Sequence, residues 1–356
     1  MNIIKKVSIV HFVLLGLVTG VISGWYRIGW IDIPAGYAGQ HGVIMVGSFL
    51  GTLICLERAI VIKKKLIFLI PLISGLSILF FLLGFPIPAK IALIIAGAGL
   101  SAMFVYFYQK TKELYHIIML VGALCWLIGN ILLLIKNQFI ISTGWWVGFL
   151  FLTIAGERLE LTKFLPISRF KISILVTSMS LFIIGLLLPF HGIGKYFLAA
   201  GLIFSALWLL KYDMAGKALK REGLSRFSAT ALIAGYGWLL ISGILFARGQ
   251  MFGYLYDAAL HSFFIGFVFS MIFAHAPIIF PGVAGIPVKP YHPTLYIWLV
   301  LLHLSLAVRI GANLTMNPDL RQWAGMLNGI VILAFFVNLV VIVISLNRST
   351  LKVKSG

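Results

Sequence analysis

Residues 115–135 read YHIIMLVGALCWLIGNILLLI, an apolar run that contains no Asp, Glu, Lys or Arg. Basic residues stand close to both of its ends, at Lys112 and Lys136. An α-helix needs about 20 mostly apolar residues to cross the hydrocarbon core of a bilayer. The run therefore predicts a helix that spans a membrane.

The composition of the whole chain follows the same pattern. Hydrophobic residues make up 61% of the 356 residues, charged residues make up 10%, and the mean hydropathy is +1.08. A soluble globular protein has about 25% charged residues and about 45–50% apolar residues. These values exclude a water-soluble enzyme, a disordered protein and a membrane anchor that carries a sizeable soluble domain. We expect a single transmembrane domain over residues 1–356, without a soluble domain.

Apolar runs of this kind recur along the chain, and twelve can be assigned. They predict an all-α fold, a polytopic integral membrane bundle of about twelve transmembrane helices. Their approximate limits are 7–26, 41–56, 66–85, 88–108, 115–135, 139–156, 171–190, 194–211, 227–247, 256–279, 294–311 and 323–346.

The basic residues set the orientation of these spans. The net charge of +19 could indicate a nucleic-acid partner, but the basic residues cluster in short segments between the apolar runs. By the positive-inside rule, the bias predicts that both termini lie inside, and it favours membrane lipid over nucleic acid as a partner. We expect the inner (cytoplasmic) membrane of a bacterium or an archaeon. With the N-terminus inside, the outer segments hold only these of the 28 Lys and Arg residues: Arg27, Lys90, Lys136, Lys195, Arg248, Arg309 and Arg321.

Histidines are the conspicuous polar residues within the spans. His41 opens the second span from the outside, His261 lies early in the tenth, and His303 lies in the outer half of the eleventh. A neutral imidazole can ligate iron, copper or zinc in a medium of low dielectric constant. The alternative is that each histidine forms a hydrogen bond to a neighbouring helix. Their shared outer depth favours a common centre.

Helix phase places His41 on a polar stripe of the second span. At about 100° per residue, it shares one face with Met45, Ser48, Thr52 and Cys55. Such a stripe should face protein and not lipid, because polar side chains in contact with lipid are costly.

Helix phase also groups residues of the tenth span. Asp257, His261 and His275 fall on one face, and the two histidines lie about 21 Å apart along the helix. These two histidines therefore cannot share one metal ion. The in-span candidates for a second metal site are His303 and His275.

Acidic and basic residues also occur together at the inner ends of two spans. Glu57 and Arg58 end the second span, and Glu157, Arg158 and Glu160 end the sixth. They indicate either the entrance of a proton path or helix ends closed by local ion pairs.

Two segments resemble the haem-bearing helices of haem-copper oxidase subunit I. Residues 40–45, QHGVIM, resemble the HGxxM of its second helix. Residues 257–266, DAALHSFFIG, together with 269–277, FSMIFAHAP, resemble its tenth helix. In that family, histidines of these two helices bind the low-spin haem.

The chain is more similar still to the NnrS family, twelve-span membrane proteins that contain haem and copper and are linked to nitric oxide. Gly235-Tyr236-Gly237-Trp238 resembles the GYxW of that family. Leu260-His261 with Gly266 and Met271-Ile272 resembles its LHxxxxG…MI segment. Gly156-Glu157-Arg158 is similar to the end of its sixth helix.

The resemblance implies one haem b whose iron is ligated by His41 and His261 in the outer half of the membrane. Gly42 and Gly47 on the second helix and Gly266 on the tenth are expected to leave room for the macrocycle. The implied role lies in electron transfer or in nitric oxide metabolism or response. If the chain is an enzyme, it is a membrane oxidoreductase.

The resemblance also suggests further residues of the site. Arg309 and Arg27 lie on the outer side, where an arginine can neutralise haem propionates, although snorkelling to the interface explains either one equally well. His303 and His275 are the candidates for a second metal site. Copper is a second candidate cofactor, but the oxidase copper ligands of the sixth and seventh helices have no histidine counterparts here.

A small-solute transporter without a redox cofactor is the alternative, since twelve spans with both ends inside are also a common transporter layout. For the redox protein, quinol or nitric oxide are the expected partners. A quinol dissolved in the membrane is the more economical electron donor, because the spans leave no extramembrane domain to receive a soluble one.

Overall fold

The computed structural model describes the backbone of residues 3–32, 37–249, 252–284 and 290–355. Side chains are described over the same ranges except for 3–8, 38, 191, 280–284 and 347–355. Throughout these ranges the regular structure is helical and no strand occurs. The predicted all-α class is therefore confirmed.

Twelve helices of the described residues are long and apolar enough to cross a membrane. Each overlaps one of the twelve predicted spans, which are thereby confirmed, and the structure makes most of them a few residues longer. They are α1 (Ile9–Arg27), α2 (His41–Ile62), α3 (Lys65–Leu82), α4 (Pro86–Thr111), α5 (Leu114–Lys136), α6 (Phe139–Thr162), α7 (Arg169–Leu187), α8 (Gly192–Ala218), α9 (Gly223–Arg248), α10 (Gly253–Ile279), α11 (Leu295–Leu314) and α12 (Pro318–Leu346).

The chain divides into two compact units, Met1–Leu161 with α1–α6 and Thr162–Gly356 with α7–α12. Within the first unit, α1 packs on α2 through three glycines spaced four residues apart, Gly16, Gly20 and Gly24. A Cβ atom at Gly16 would lie 3.2 Å from the backbone of Ser48, so the two helix backbones approach closely. Small residues are the usual means of such approach in membranes.

Two spans depart from α-helical geometry over eight residues each. In α2 the segment Ile44–Gly51 is a π-helix that begins three residues after His41. In α10 the segment Ser262–Phe269 is a π-helix that begins directly after His261. π-Helical turns are rare and frequently mark functional sites. Both histidines of interest thus precede the same uncommon backbone geometry.

Fusing reporter domains to the connections near Lys64 and near Lys195 tests the orientation of the spans. The charge bias predicts Lys64 inside and Lys195 outside. Fluorescent-protein and alkaline phosphatase fusions at each position should therefore give opposite patterns. The same pattern at both positions would overturn the predicted topology.

Candidate functional site

His41 stands at the start of α2, and its ring is fixed by α1. Its Nδ1 atom lies 2.7 Å from the main-chain oxygen of Gly20. A carbonyl oxygen only accepts hydrogen bonds, so Nδ1 carries the proton and, in the neutral ring, Nε2 carries the lone pair. A Cβ atom at Gly24 would lie 2.9 Å from the His41 Cε1 atom, so only glycine leaves space for the ring there.

The polar stripe below His41 faces a neighbouring helix, as predicted. Ser48 Oγ lies 2.7 Å from Ser77 Oγ, and Thr52 Oγ1 donates to Ser74 Oγ at 2.9 Å, both across to α3. These four side chains and that of Cys55 have no exposed surface. Hydroxyl groups that pair across helices in this way hold α2 against α3 inside the first unit.

His261 in the second unit has the same protonation pattern as His41. Its Nδ1 atom lies 2.8 Å from the main-chain oxygen of Asp257 and 3.2 Å from the Asp257 Oδ1 atom. Carbonyl and ionised carboxylate oxygens accept and do not donate, so Nδ1 carries the proton and Nε2 the lone pair. The His261 side chain is 19% exposed, so the ring is not sealed in the core.

The carboxylate of Asp257 is held in turn by two residues of α11. Arg309 donates from Nη2 to Oδ1 at 3.1 Å and to Oδ2 at 3.2 Å, and from Nε to Oδ2 at 3.3 Å. Asn313 donates from Nδ2 to Oδ2 at 2.8 Å. Arg309 and Asn313 are almost fully buried. Intramembrane ionisable residues are expected to pair in this way, because an isolated charge in the bilayer is costly.

The two arginines that were predicted to meet haem propionates have different surroundings, each within its own unit. The guanidinium of Arg309 is engaged by Asp257, whereas Arg27 is exposed at the end of α1. Sequence reasoning did not connect Arg321 with the site. Its guanidinium lies 5.1 Å from the ring centre of Tyr254, about two helical turns before His261 on the same face of α10.

His303 has the opposite protonation pattern. Trp238 donates from Nε1 to His303 Nδ1 at 2.9 Å, and the two rings lie 19° from parallel. The lone pair of Nδ1 is therefore used, and the neutral ring carries its proton on Nε2. A metal bound at His303 would require this hydrogen bond to break, so the predicted second site gains no support there and stays a prediction.

His275 lies further along α10 and shares the pattern of His41 and His261. Its Nδ1 atom lies 2.7 Å from the main-chain oxygen of Met271, so Nε2 carries the lone pair. Within the described ranges, no group of three or more His, Cys, Asp or Glu side chains could hold a metal ion. A haem iron takes only one or two protein ligands and does not require such a group.

The glycines near the two ligand candidates accommodate protein side chains. A Cβ atom at Gly266 would overlap the indole of Trp238, and one at Gly47 would overlap Leu93. A Cβ atom at Gly42 would meet Trp146 at an ordinary 3.5 Å. The expectation that Gly47 and Gly266 leave space for a macrocycle is therefore wrong, because neighbouring spans already fill that space.

The C-terminal ends of α2 and α6, which the charge bias places inside, carry an ion pair within the first unit. Arg58 and Glu157 form a salt bridge, and the Arg58 guanidinium lies 5.8 Å from the ring centre of Phe104. This ion pair joins two spans, whereas the sequence predicted an ion pair local to each helix end. The proton path stays a prediction.

Substituting single glycines tests the packing around Trp238. Gly266→Ala should destabilise the protein by about 1–3 kcal/mol, because the added methyl group collides with a packed indole. Gly237→Ala is the matched control, since a Cβ atom there meets nothing within 4 Å. Thermal unfolding in detergent, followed by Trp fluorescence, measures both. Equal stability of the two variants would contradict the packing described here.

Together these features define a class, the polytopic α-helical membrane proteins with histidines fixed by hydrogen bonds inside their spans. Within it, the chain belongs to the family of a domain of unknown function, DUF8744, which matches residues 6–344. No curated protein and no solved structure matches the chain.

Proposed function

We propose that the chain is a haem-binding protein of the cytoplasmic membrane of a bacterium or an archaeon, with His41 and His261 as the axial ligands of one haem b. The hydrogen bonds to the two Nδ1 atoms carry the proposal. Each bond leaves the lone pair on Nε2, which is what a neutral imidazole needs to bind iron. The resemblance of both segments to haem-bearing helices supports the same pair.

The hydrogen bonds of His41 and His261 also fix the orientation of each ring, as a haem ligand requires. Histidines that bind metals usually donate their other ring N–H to a carbonyl or carboxylate oxygen, which fixes the ring. His41 does so toward Gly20 and His261 toward Asp257. Among the in-span histidines that were candidates for metal binding, His303 instead accepts at Nδ1, which is why it is not included in the pair.

The propionates would need cationic partners at the outer side. Arg309 has its charge compensated by Asp257, so it is a weaker partner than its position suggests. Arg321 adds a cation about 10 Å outward from His261 along α10, through its contact with Tyr254. We propose Arg321 beside Arg309 and Arg27 as the residues that meet the propionates.

Two imidazole ligands, from His41 and His261, would favour electron relay over gas binding at the iron. Together with the resemblance to the NnrS family, this supports a role in electron transfer or in nitric oxide metabolism or response. A membrane quinol is the proposed electron donor. Copper stays a second candidate cofactor, with His275 the better placed of its two proposed ligands.

A transporter is the second candidate function, and one observation favours it. Asp257, Arg309 and His261 form an ionisable cluster inside two spans, and such clusters mark proton and ion pathways in transporters and pumps. The cluster suits either function. Only the haem proposal predicts colour in the purified protein.

An optical spectrum therefore tests the proposed function. The protein is purified in detergent from cells supplied with a haem precursor, and spectra are recorded before and after reduction with dithionite. The haem proposal predicts sharp low-spin bands and about one haem per chain by the pyridine haemochrome assay. A colourless, folded protein would overturn the proposal and leave the transporter.

A further inference from the structure

Asp257 connects His261 with the buried cation of α11. We propose that Asp257 is the positioning residue of His261. Its main-chain oxygen lies 2.8 Å from Nδ1 and fixes the ring, and its carboxylate, 3.2 Å from the same atom and held by Arg309 and Asn313, sets the strength of the ring as an iron ligand. This inference rests on the proposed function, because it assigns a role toward a haem at His261. It goes beyond that function in assigning the residue that sets the reduction potential of the haem.

The contacts leave the carboxylate little freedom to turn away from the ring. Its Oδ1 atom lies 3.2 Å from His261 Nδ1 and 3.1 Å from Arg309 Nη2. Its Oδ2 atom accepts from Asn313 at 2.8 Å and from Arg309 at 3.2 and 3.3 Å. Rotating the carboxylate would break several of these bonds within the membrane, where replacement partners are scarce.

The charge next to His261 has a chemical consequence. A carboxylate that accepts from the outer N–H of a metal-bound imidazole makes that imidazole a more basic ligand. A more basic ligand stabilises oxidised iron relative to reduced iron, which lowers the reduction potential. Arg309 limits the effect, because its positive charge contacts both oxygens of the same carboxylate.

His41 provides the internal contrast. Its Nδ1 atom donates to the neutral main-chain oxygen of Gly20 at 2.7 Å. This acceptor orients the ring and carries no full charge, whereas the Nδ1 atom of His261 has both a main-chain oxygen and a carboxylate oxygen beside it.

Removing the charge of Asp257 tests the inference. Asp257→Asn keeps the shape of the side chain, and we expect the midpoint potential of the haem to rise. The double variant D257N/R309Q removes both charges of the pair, so it is expected to fold even if the single variant does not. Its potential should rise by less, because the positive charge of Arg309 is lost as well. The control is Asp319→Asn, which changes an exposed acid at the start of α12 and should leave the potential unchanged.

Potentiometric titration of the purified proteins, followed optically, gives the result. A residue that only held the helices together would change stability and haem content without moving the potential of the haem that remains. Potentials equal to wild type in both D257N and D257N/R309Q would overturn the inference and leave the haem assignment standing. A wild-type protein without haem would overturn the proposed function and the inference with it.

Discussion

Replacing His41 or His261 with Ala is expected to abolish the sharp reduced-minus-oxidised haem bands of the purified protein. Each substitution removes one axial ligand, and an iron with a single imidazole is no longer low-spin and six-coordinate. The expected result is therefore the loss of the low-spin spectrum in both variants, accompanied by lower haem content. Optical difference spectra and the pyridine haemochrome assay measure the two effects.

His292→Ala is the control for this pair. His292 lies exposed before α11, and its Nδ1 atom contacts the side chain of Thr294 at 3.0 Å. Its removal should leave the bands intact. If both the His41 and the His261 variants keep a normal low-spin spectrum, the ligand assignment is wrong.

Arg309→Gln should cost about 3–5 kcal/mol of folding free energy, because it leaves the carboxylate of Asp257 within the span without its cation. The double variant D257N/R309Q should recover most of this loss, since neither charge then remains to be compensated. Thermal unfolding in detergent, with two single variants and the double, gives the coupling between the two residues.

Arg226→Gln is the matched control. It makes the same substitution in the same unit, but Arg226 is exposed and donates from Nε to the main-chain oxygen of Leu219 at 3.1 Å. Its loss should cost about 0.5–1.5 kcal/mol. Equal effects of the Arg309 and Arg226 substitutions would show that the contact with Asp257 contributes little.

The number and order of the spans could be predicted from the sequence because each span is a local property. About 20 apolar residues between charged segments suffice to define one, as 115–135 illustrates. The face of the helix on which a residue lies is also a local property, and it correctly predicted that Ser48 and Thr52 face protein. These features depend only on neighbours along the chain.

The hydrogen bonds of His41 and His303 could not be predicted, because their partners are distant in the sequence. Gly20 and His41 are 21 residues apart, and Trp238 and His303 are 65 apart. The sequence analysis grouped His303 with His261 because both were predicted at a similar depth in the membrane. The two rings nevertheless carry their protons on different nitrogen atoms. The prediction that glycines leave room for a macrocycle was wrong for the same reason. Only the folded structure shows that Trp238 and Leu93 fill the space beside Gly266 and Gly47.

The π-helical segments of α2 and α10 have a consequence for evolution. A π-helical turn commonly holds one more residue than the α-helical turn it replaces, so it behaves as an insertion that the helix has absorbed. A relative that lost that residue in Ile44–Gly51 or Ser262–Phe269 would regain regular α-helical pitch. Because the π-helical turn accommodates the extra residue within one turn, the residues before and after it would keep nearly the same relative directions. Descent within the family could thus leave a one-residue gap in the middle of a membrane span while the histidine before it kept its direction.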